Sequence, residues 1–171
     1  HTDPRAVEGA LTIGWAAALA MKSRSSRTPA DEFFKQVFQF IKGDELSLFL
    51  RSAEEHLSAN SSLADYLNES PAFEKGISGY INHTVPAVIY ACLGHSGDFR
   101  EPVGQMIDAR GDPGSTAALA GALSGTTSGW AGIPSDWLAG VRCWPLSVSH
   151  ITQLSQVLAN AGTSGWSSPS N

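Results

Sequence analysis

The sequence is poor in cysteine: its 171 residues include two, Cys92 and Cys143, which lie far apart and without Cys-x-x-Cys spacing. Such a pair provides neither a zinc ribbon nor a disulfide framework, so we interpret both residues as buried thiols in a reducing compartment. No uninterrupted apolar stretch approaches the roughly 18 residues that a transmembrane helix requires. These absences, together with the lack of a signal peptide, predict a cytoplasmic protein without membrane contact.

Basic residues are also scarce. There are 11 Lys and Arg against 16 Asp and Glu, the formal net charge is −5, and the basic residues form no run. This balance argues against a nucleic-acid-binding surface. The sequence also lacks a nucleophile elbow, a phosphate-binding P-loop and a dinucleotide-binding glycine motif, so no catalytic residue is predicted. Four histidines show no metal-ligand spacing and are interpreted as structural or exposed: His56, His83, His95 and His150.

What the sequence does contain is helical periodicity along nearly its whole length. No segment shows the alternation of apolar and polar residues that is typical of a half-buried strand, so the predicted fold class is all-α. The predicted helices cover residues 4–22, 29–42, 46–59, 62–68, 85–93, 98–109, 113–127 and 147–161, with a short further helix after Ser135. We expect one compact helical domain over residues 1–161 and a flexible tail over residues 162–171.

One stretch, ARGDPGSTAALAGALSG at residues 109–125, places a lone acid before a helix of small residues. Asp112 followed by Pro113 is a favoured way to begin a helix, because Asp caps the first turn and Pro suits its first position. The alternative is a functional site. The carboxylate of Asp112 and the hydroxyl of Ser115 are oxygen ligands of the kind that Mg²⁺ takes.

Several short motifs follow one another in a specific order and spacing. They are Thr84-Val85-Pro86-Ala87, Asp98-Phe99, Gly111-Asp112, Ala120-Gly121-Ala122-Leu123, and Ile133-Pro134 with Trp137 after it. A His-x-x-Pro pattern formed by His1 and Pro4 opens the chain. Together these elements resemble the C-terminal part of the ADP-ribosylglycohydrolase family, the group typified by the dinitrogenase-reductase-activating glycohydrolase.

This resemblance implies a compact all-α bundle around a two-Mg²⁺ cleft, without the N-terminal part of the family's domain. Members of the family remove ADP-ribose from protein side chains or small acceptors. By position, Asp112 and Ser115 match metal ligands of the family's metal loop. His1, Arg110, Gly111 and Gly114 fall at positions expected to contact the substrate, ADP-ribose or an ADP-ribosylated molecule.

The chain also departs from the family's pattern. Gly114 stands where the metal loop has its second Asp, and Arg110 replaces the first glycine of that loop with a positive charge. That charge repels Mg²⁺ but can attract a phosphate. The family's N-terminal Thr-Asp-Asp type motif, which supplies further metal ligands, has no counterpart here. We therefore expect a hydrolase that is impaired because metal-ligating acids are missing.

Two alternatives remain open. The chain could be a non-catalytic member of the same fold that binds ADP-ribose or a related nucleotide, or that serves as a scaffold. It could instead be a helical interaction domain that presents aromatic surface. An exposed apolar patch beside the first helix would favour the interaction domain, and such a patch could also drive homo-oligomerisation.

Overall fold

The computed structural model describes residues 2–22, 30–142 and 145–163. Within these ranges it contains nine α-helices, a 3₁₀ helix at Pro71–Phe73 and no β-strand, which confirms the predicted all-α class. The helices are α1 (Pro4–Lys22), α2 (Ala30–Val37), α3 (Asp44–Ser58), α4 (Leu63–Asn68), α5 (Ile81–Gly94), α6 (Arg100–Asp108), α7 (Pro113–Gly132), α8 (Ser135–Gly140) and α9 (Val148–Thr163).

The chain divides into two compact units, His1–Ile133 and Pro134–Asn171. The first unit contains α1 to α7 and all the described residues that the sequence singles out as a site. The second contains α8 and α9. The single domain over residues 1–161 stays a prediction. Of the predicted tail, residues 162 and 163 continue α9, and the rest lies outside the described residues.

Helix α5 lies at the centre of the first unit and packs against α1, α3, α6 and α7. From Val85 to Leu93 its sequence is apolar on all sides, which is the pattern of a helix that other helices surround. The prediction that this helix begins at Val85 was wrong by four residues, since it begins at Ile81 and Pro86 lies inside it. The sequence hides this start because Asn82 and Thr84, both buried, are polar residues that read as loop.

The boundaries of two other helices also differ from prediction. Helix α2 ends at Val37, and residues 38–40 form a turn instead of a further helical turn. Its predicted start at residues 28–29 lies outside the described residues. Helix α7 runs to Gly132, five residues beyond the predicted end, although Gly129 has φ +64° and interrupts its helical backbone.

Helix α1 is joined to the start of α3 by a carboxylate. Glu8 accepts hydrogen bonds from the backbone N–H groups of Lys42, at 3.1 Å, and Gly43, at 3.0 Å. Gly43 is the N-cap residue of α3 and has no side chain to provide a cap of its own. Glu8 therefore fixes the segment that enters α3 against α1, while the first turn of α3 has no side-chain cap.

Cys92 is a partly buried free thiol on α5. Its sulfur lies 3.7 Å from the carbonyl oxygen of Ala120 and 3.7 Å from the Oγ of Ser124, both on α7. Separation from water raises the pKa of this thiol to about 11, so it stays protonated near neutral pH. Such a thiol packs as a small apolar side chain and is a poor nucleophile. The second predicted thiol, Cys143, lies outside the described residues.

Candidate functional site

The predicted metal loop is held against a second loop, and we call residues 76–79 and 110–112 together the loop crossing. Ile77 and Gly111 form an isolated parallel β-bridge. The Ile77 N–H donates to the carbonyl of Arg110 at 3.2 Å, and the Asp112 N–H donates to the carbonyl of Ile77 at 2.8 Å. These backbone bonds place the start of α7 beside the loop that precedes α5.

Two glycines make this close approach possible. A Cβ on Gly111 would lie 2.2 Å from the carbonyl oxygen of Ile77, and φ at Gly111 is +88°. A Cβ on Gly76 would lie 2.6 Å from the carbonyl carbon of Arg110, and φ at Gly76 is +89°. Only glycine satisfies both the space and the backbone angle at these positions.

Arg110 adopts positive φ as well, at +61°, without the freedom of glycine. A non-glycine residue in this region is uncommon and stores roughly 1–3 kcal/mol of backbone strain. Its side chain is exposed. The loop therefore carries an exposed positive charge directly before Gly111 and Asp112.

Asp112 caps helix α7, as one of the two sequence interpretations predicts. Its Oδ1 accepts the backbone N–H of Ser115 at 3.2 Å, and its carbonyl oxygen accepts the Oγ1–H of Thr116 at 2.9 Å. The other carboxylate oxygen abuts Gly79, where an added Cβ would lie 2.8 Å from Oδ2. The N-cap prediction is confirmed, and the role of Asp112 as a metal ligand stays a prediction.

Only some of the other predicted site residues can be placed beside Asp112. Gly111, Gly114 and Ser115 are exposed at the start of α7, and His1 lies outside the described residues. Among the residues that the structure describes, no group of three or more His, Cys, Asp or Glu side chains could hold a metal ion. One carboxylate and one hydroxyl are a poor fit to a two-Mg²⁺ cleft, because Mg²⁺ prefers several hard oxygen ligands.

An open cavity of about 450 Å³ adjoins the loop crossing. It is lined by Pro71, Ala72, Glu74, Lys75, Gly76, Ser78, His83 and Gly111. Within it the Oγ of Ser78 and the Nδ1 of His83 are 2.9 Å apart and share a hydrogen bond. Of the predicted site residues that the structure describes, Gly111 alone lies in the wall of this cavity.

His83 is held between aromatic rings. Its imidazole packs against Phe49, Phe73 and Tyr80, with ring centroids 5.3, 5.5 and 5.0 Å away. Burial among these rings disfavours the charged form and lowers the pKa of His83, partly opposed by the carboxylate of Glu45. A neutral imidazole beside the Ser78 hydroxyl is therefore the form present near neutral pH.

A second carboxylate, Glu45 at the start of α3, organises the far side of the same loop. Its Oε2 accepts the hydroxyl of Tyr80 at 2.5 Å and the Nδ2 of Asn82 at 2.8 Å. The Tyr80 hydroxyl in turn accepts the guanidinium of Arg5 at 3.3 Å. The bonds from Tyr80 and Asn82 favour the ionised carboxylate and lower the pKa of Glu45.

Sequence reasoning did not find this cluster. The partners of Glu45 lie 35 and 37 residues away along the chain. Neither distance is a helical or strand spacing. The one sequence signal was that Asn82 lies three residues before the apolar run that begins at Val85. In the structure its side chain is buried, at 2% exposed. Its Oδ1 is buried without a hydrogen-bond partner among the described residues.

A second open cavity, about 840 Å³, lies at the opposite end of α5 and has a different character. Its polar lining includes Ser61, Tyr90, His95 and Gln105. None of the predicted site residues that the structure describes lines it. Asp112 and its neighbours at the start of α7 and this second cavity are therefore separate features of the fold.

Comparison with known proteins identifies the class. The family model of the ADP-ribosylglycohydrolases matches residues 1–166. The chain belongs to the ADP-ribosylglycohydrolase family, and the resemblance predicted from its motifs is confirmed. The family acts on ADP-ribosylated substrates. No significant match was found among curated proteins or among solved structures. No helix in the described residues is long and apolar enough to cross a membrane.

Proposed function

We propose that this chain binds the ADP-ribosyl group at the loop crossing and the adjoining cavity, and that it hydrolyses the glycosidic bond slowly or not at all. The proposal rests mainly on the hydrogen bond that the Asp112 side chain already makes. This carboxylate already caps α7 through Ser115, and its loop supplies no second acid, since Gly114 stands in that place. Since the donor set does not fit a two-Mg²⁺ cleft, no step of the proposal passes through a metal.

The charges and dipoles around the cavity support binding of a diphosphate. Arg110 presents an exposed guanidinium beside the loop crossing, and Lys75 lines the cavity. The N-terminus of α7, a helix of 20 residues, points its positive dipole end at the same loop. Guanidinium groups pair well with phosphate oxygens. Gly111 lies in the wall of the same cavity, which places the start of α7 within reach of a ligand there.

Calorimetric titration of ADP-ribose into the purified chain, with and without Mg²⁺, tests the binding. We expect saturable binding in both conditions, weakened about tenfold in Arg110→Gln because a charged phosphate contact is lost. Lys22→Gln, which neutralises an exposed cation on α1, is the control and should bind as the wild type does. Absence of binding heat in both conditions would overturn the proposal.

The role of Asp112 is tested separately, with a variant that keeps the cap. Asp112→Asn retains an N-cap side chain and removes the charge. We expect it to bind ADP-ribose as the wild type does. Asp98→Asn is the matched control, because Asp98 caps the start of α6 through Arg100 and Glu101. If Mg²⁺ strengthens wild-type binding and Asp112→Asn alone abolishes that gain, Asp112 is a metal ligand and the proposal is wrong on this point.

Turnover is measured as ADP-ribose released from ADP-ribosyl-arginine and ADP-ribosyl-serine peptides in Mg²⁺ buffer. We expect release close to the rate without protein. Rapid release that vanishes in Asp112→Ala, and persists in Asp98→Ala, would show a working hydrolase and overturn the inactive assignment.

A further inference from the structure

One pair of side chains in the cavity beside the loop crossing is not used by the proposed function. The Oγ of Ser78 and the Nδ1 of His83 are 2.9 Å apart, and both residues line the open cavity of about 450 Å³. Ser78 is exposed and His83 is partly buried. A serine hydroxyl within hydrogen-bond reach of an imidazole nitrogen is the arrangement of a nucleophile and its base.

The neighbouring backbone favours a hydrogen bond that runs from Ser78 to His83. The N–H of Tyr80 donates to the Oγ of Ser78 at 3.3 Å and occupies one of its lone pairs. The hydroxyl proton of Ser78 can then point at Nδ1, which accepts it when the ring of His83 carries its own proton on Nε2. Burial lowers the pKa of His83, so the imidazole is neutral and has a nitrogen that can accept.

Both members of the pair are held in place by the fold. The β-bridge of Ile77 with Gly111 fixes the backbone directly before Ser78. The Oγ1–H of Thr84 donates to the carbonyl of Ser78 itself at 2.9 Å. His83 lies in the first turn of α5, where three aromatic rings pack against its imidazole. A reacting pair that is positioned in advance lowers the entropic part of a reaction barrier.

The cavity gives a small substrate access to this pair. Its volume lies within the range of roughly 300–1,000 Å³ that is typical of small-molecule sites, and it is open to solvent. Lys75 lines the same cavity. Its ammonium group supplies a positive charge near the negative oxygen that forms when a hydroxyl adds to a carbonyl group.

We propose that Ser78 is a nucleophile with His83 as its general base, and that the pair hydrolyses short-chain carboxylic esters. The proposal does not rest on the proposed function, because the hydrogen bond and the cavity are present whether or not ADP-ribose binds there.

The reaction balances with water as the only other reactant. The Oγ of Ser78 bonds to the acyl carbon while its proton passes to the Nδ1 of His83, and the leaving alkoxide takes that proton as the ester C–O bond breaks. Water then adds to the acyl carbon of the serine ester and gives a proton to Nδ1. This proton returns to the Oγ of Ser78 as the carboxylic acid leaves.

Covalent labelling of the full chain with a fluorophosphonate, followed by mass spectrometry of its peptides, tests the proposal. The reagent forms a phosphonate ester with an activated serine hydroxyl and releases fluoride, so it reports the nucleophile without requiring turnover. We expect the adduct on Ser78, at a rate about tenfold or more above that of any other serine in the chain.

Two variants distinguish an activated hydroxyl from one that is merely exposed. Ser70→Ala is the matched control, because the Oγ of Ser70 accepts the N–H of Ala72 at 3.3 Å, just as the Oγ of Ser78 accepts the N–H of Tyr80. This control should label as the wild type does. His83→Asn keeps a side chain that can bond to Ser78 but cannot take up its proton, and should slow the labelling about a hundredfold.

Release of nitrophenol from p-nitrophenyl acetate measures the turnover of an ester. Ser78→Ala should lower the rate about tenfold or more, and Ser70→Ala should keep the wild-type rate. Circular dichroism of each variant separates loss of the reaction from loss of the fold.

Three outcomes would overturn the proposal. Wild-type chain without an adduct on Ser78, or with adducts spread evenly over its serines, would mean that this hydroxyl is not activated. Labelling of Ser78 that His83→Asn leaves at the wild-type rate would mean that the imidazole is not its base. Ester hydrolysis that a folded Ser78→Ala variant retains in full would place the reaction elsewhere.

Discussion

Two carboxylates hold opposite sides of the loop before α5, and they do so by different means. Asp112 abuts Gly79, and its hydrogen-bond partner Ser115 lies three residues further along the chain. Glu45 accepts bonds from Tyr80 and Asn82, 35 and 37 residues away. The first acid serves the local start of a helix. The second joins α3 to the loop and to the first turn of α5.

This difference in hydrogen-bond partners determines whether another residue can replace each acid without loss of stability. A local cap is replaceable by Asn or Ser, because only an acceptor oxygen is needed. The Glu45 cluster is not replaceable in this way. Its loss leaves the buried amide of Asn82 without its closest partner, and an unsatisfied buried polar group is costly. The conspicuous acid of the sequence is therefore the one with the smaller structural role.

The largest expected effect comes from a substitution at Gly111, the residue of the loop crossing that directly precedes Asp112. Gly111→Ala forces a Cβ toward the carbonyl oxygen of Ile77 at a backbone angle that alanine resists, and should lower the free energy of unfolding by about 3 kcal/mol. Chemical denaturation measures the change. Gly104→Ala, in α6 with open space around it, is the control and should stabilise the chain by up to about 1 kcal/mol. Equal effects of the two substitutions would mean that the loop crossing carries no close contact.

Next in size is the loss of the second carboxylate. Glu45→Ala should lower the free energy of unfolding by about 2 kcal/mol, because Tyr80 and Asn82 lose their shared acceptor. Asp44→Ala is the matched control, since both acids lie in the first turn of α3 and share its dipole. The difference between the two variants isolates the Tyr80 and Asn82 bonds. A difference near zero would contradict the structural role given to Glu45.

Much of the fold could be predicted because its signals are local. The apolar stripe of α3, the cap of α7 and the family motifs all depend on residues within one or two helical turns of each other. The start of α5 could not be predicted in this way. The polar residues Asn82 and Thr84 are buried there because their side chains form hydrogen bonds with residues outside the helix. Thr84 donates to the carbonyl of Ser78, and Asn82 donates to Glu45.

The candidate site was likewise predictable only where it depends on residues that are neighbours in the sequence. The position of Asp112 at a helix start follows from the dipeptide with Pro113 alone. The cavity beside it depends on the contact of Ile77 with Gly111, which joins two loops that are distant in sequence. His83 shows no metal-ligand spacing, and only the fold brings it against Ser78 and the aromatic rings.

A smaller change in the free energy of unfolding distinguishes the hydrogen bond that Asp112 accepts as the cap of α7 from the negative charge that it carries. Asp112→Ala should lower the free energy of unfolding by about 1 kcal/mol, whereas Asp112→Asn should change it by only a few tenths of that amount. Thermal or chemical denaturation of both variants measures the difference. If Asn proves as costly as Ala, the negative charge near the helix N-terminus matters more than the accepted hydrogen bond from Ser115, and the comparison with Glu45 loses its basis.

The smallest expected effect is a pH dependence that arises at His83. Burial lowers the pKa of this imidazole below its usual 6.5, so on acidification the unfolded chain takes up the proton first. The free energy of unfolding should therefore fall as the pH drops below about 6.5, and should be independent of this group above that value.

His83→Asn provides the comparison, because the asparagine side chain cannot titrate and can still bond to Ser78. Its unfolding, measured beside the wild type between about pH 5 and 8, should lose less stability on acidification. Glu45, Asp3 and Asp65 have lowered pKa values and titrate below this window. The difference between the two curves therefore reports His83. Curves that run parallel across the window would mean that the rings of Phe49, Phe73 and Tyr80 do not keep this imidazole neutral.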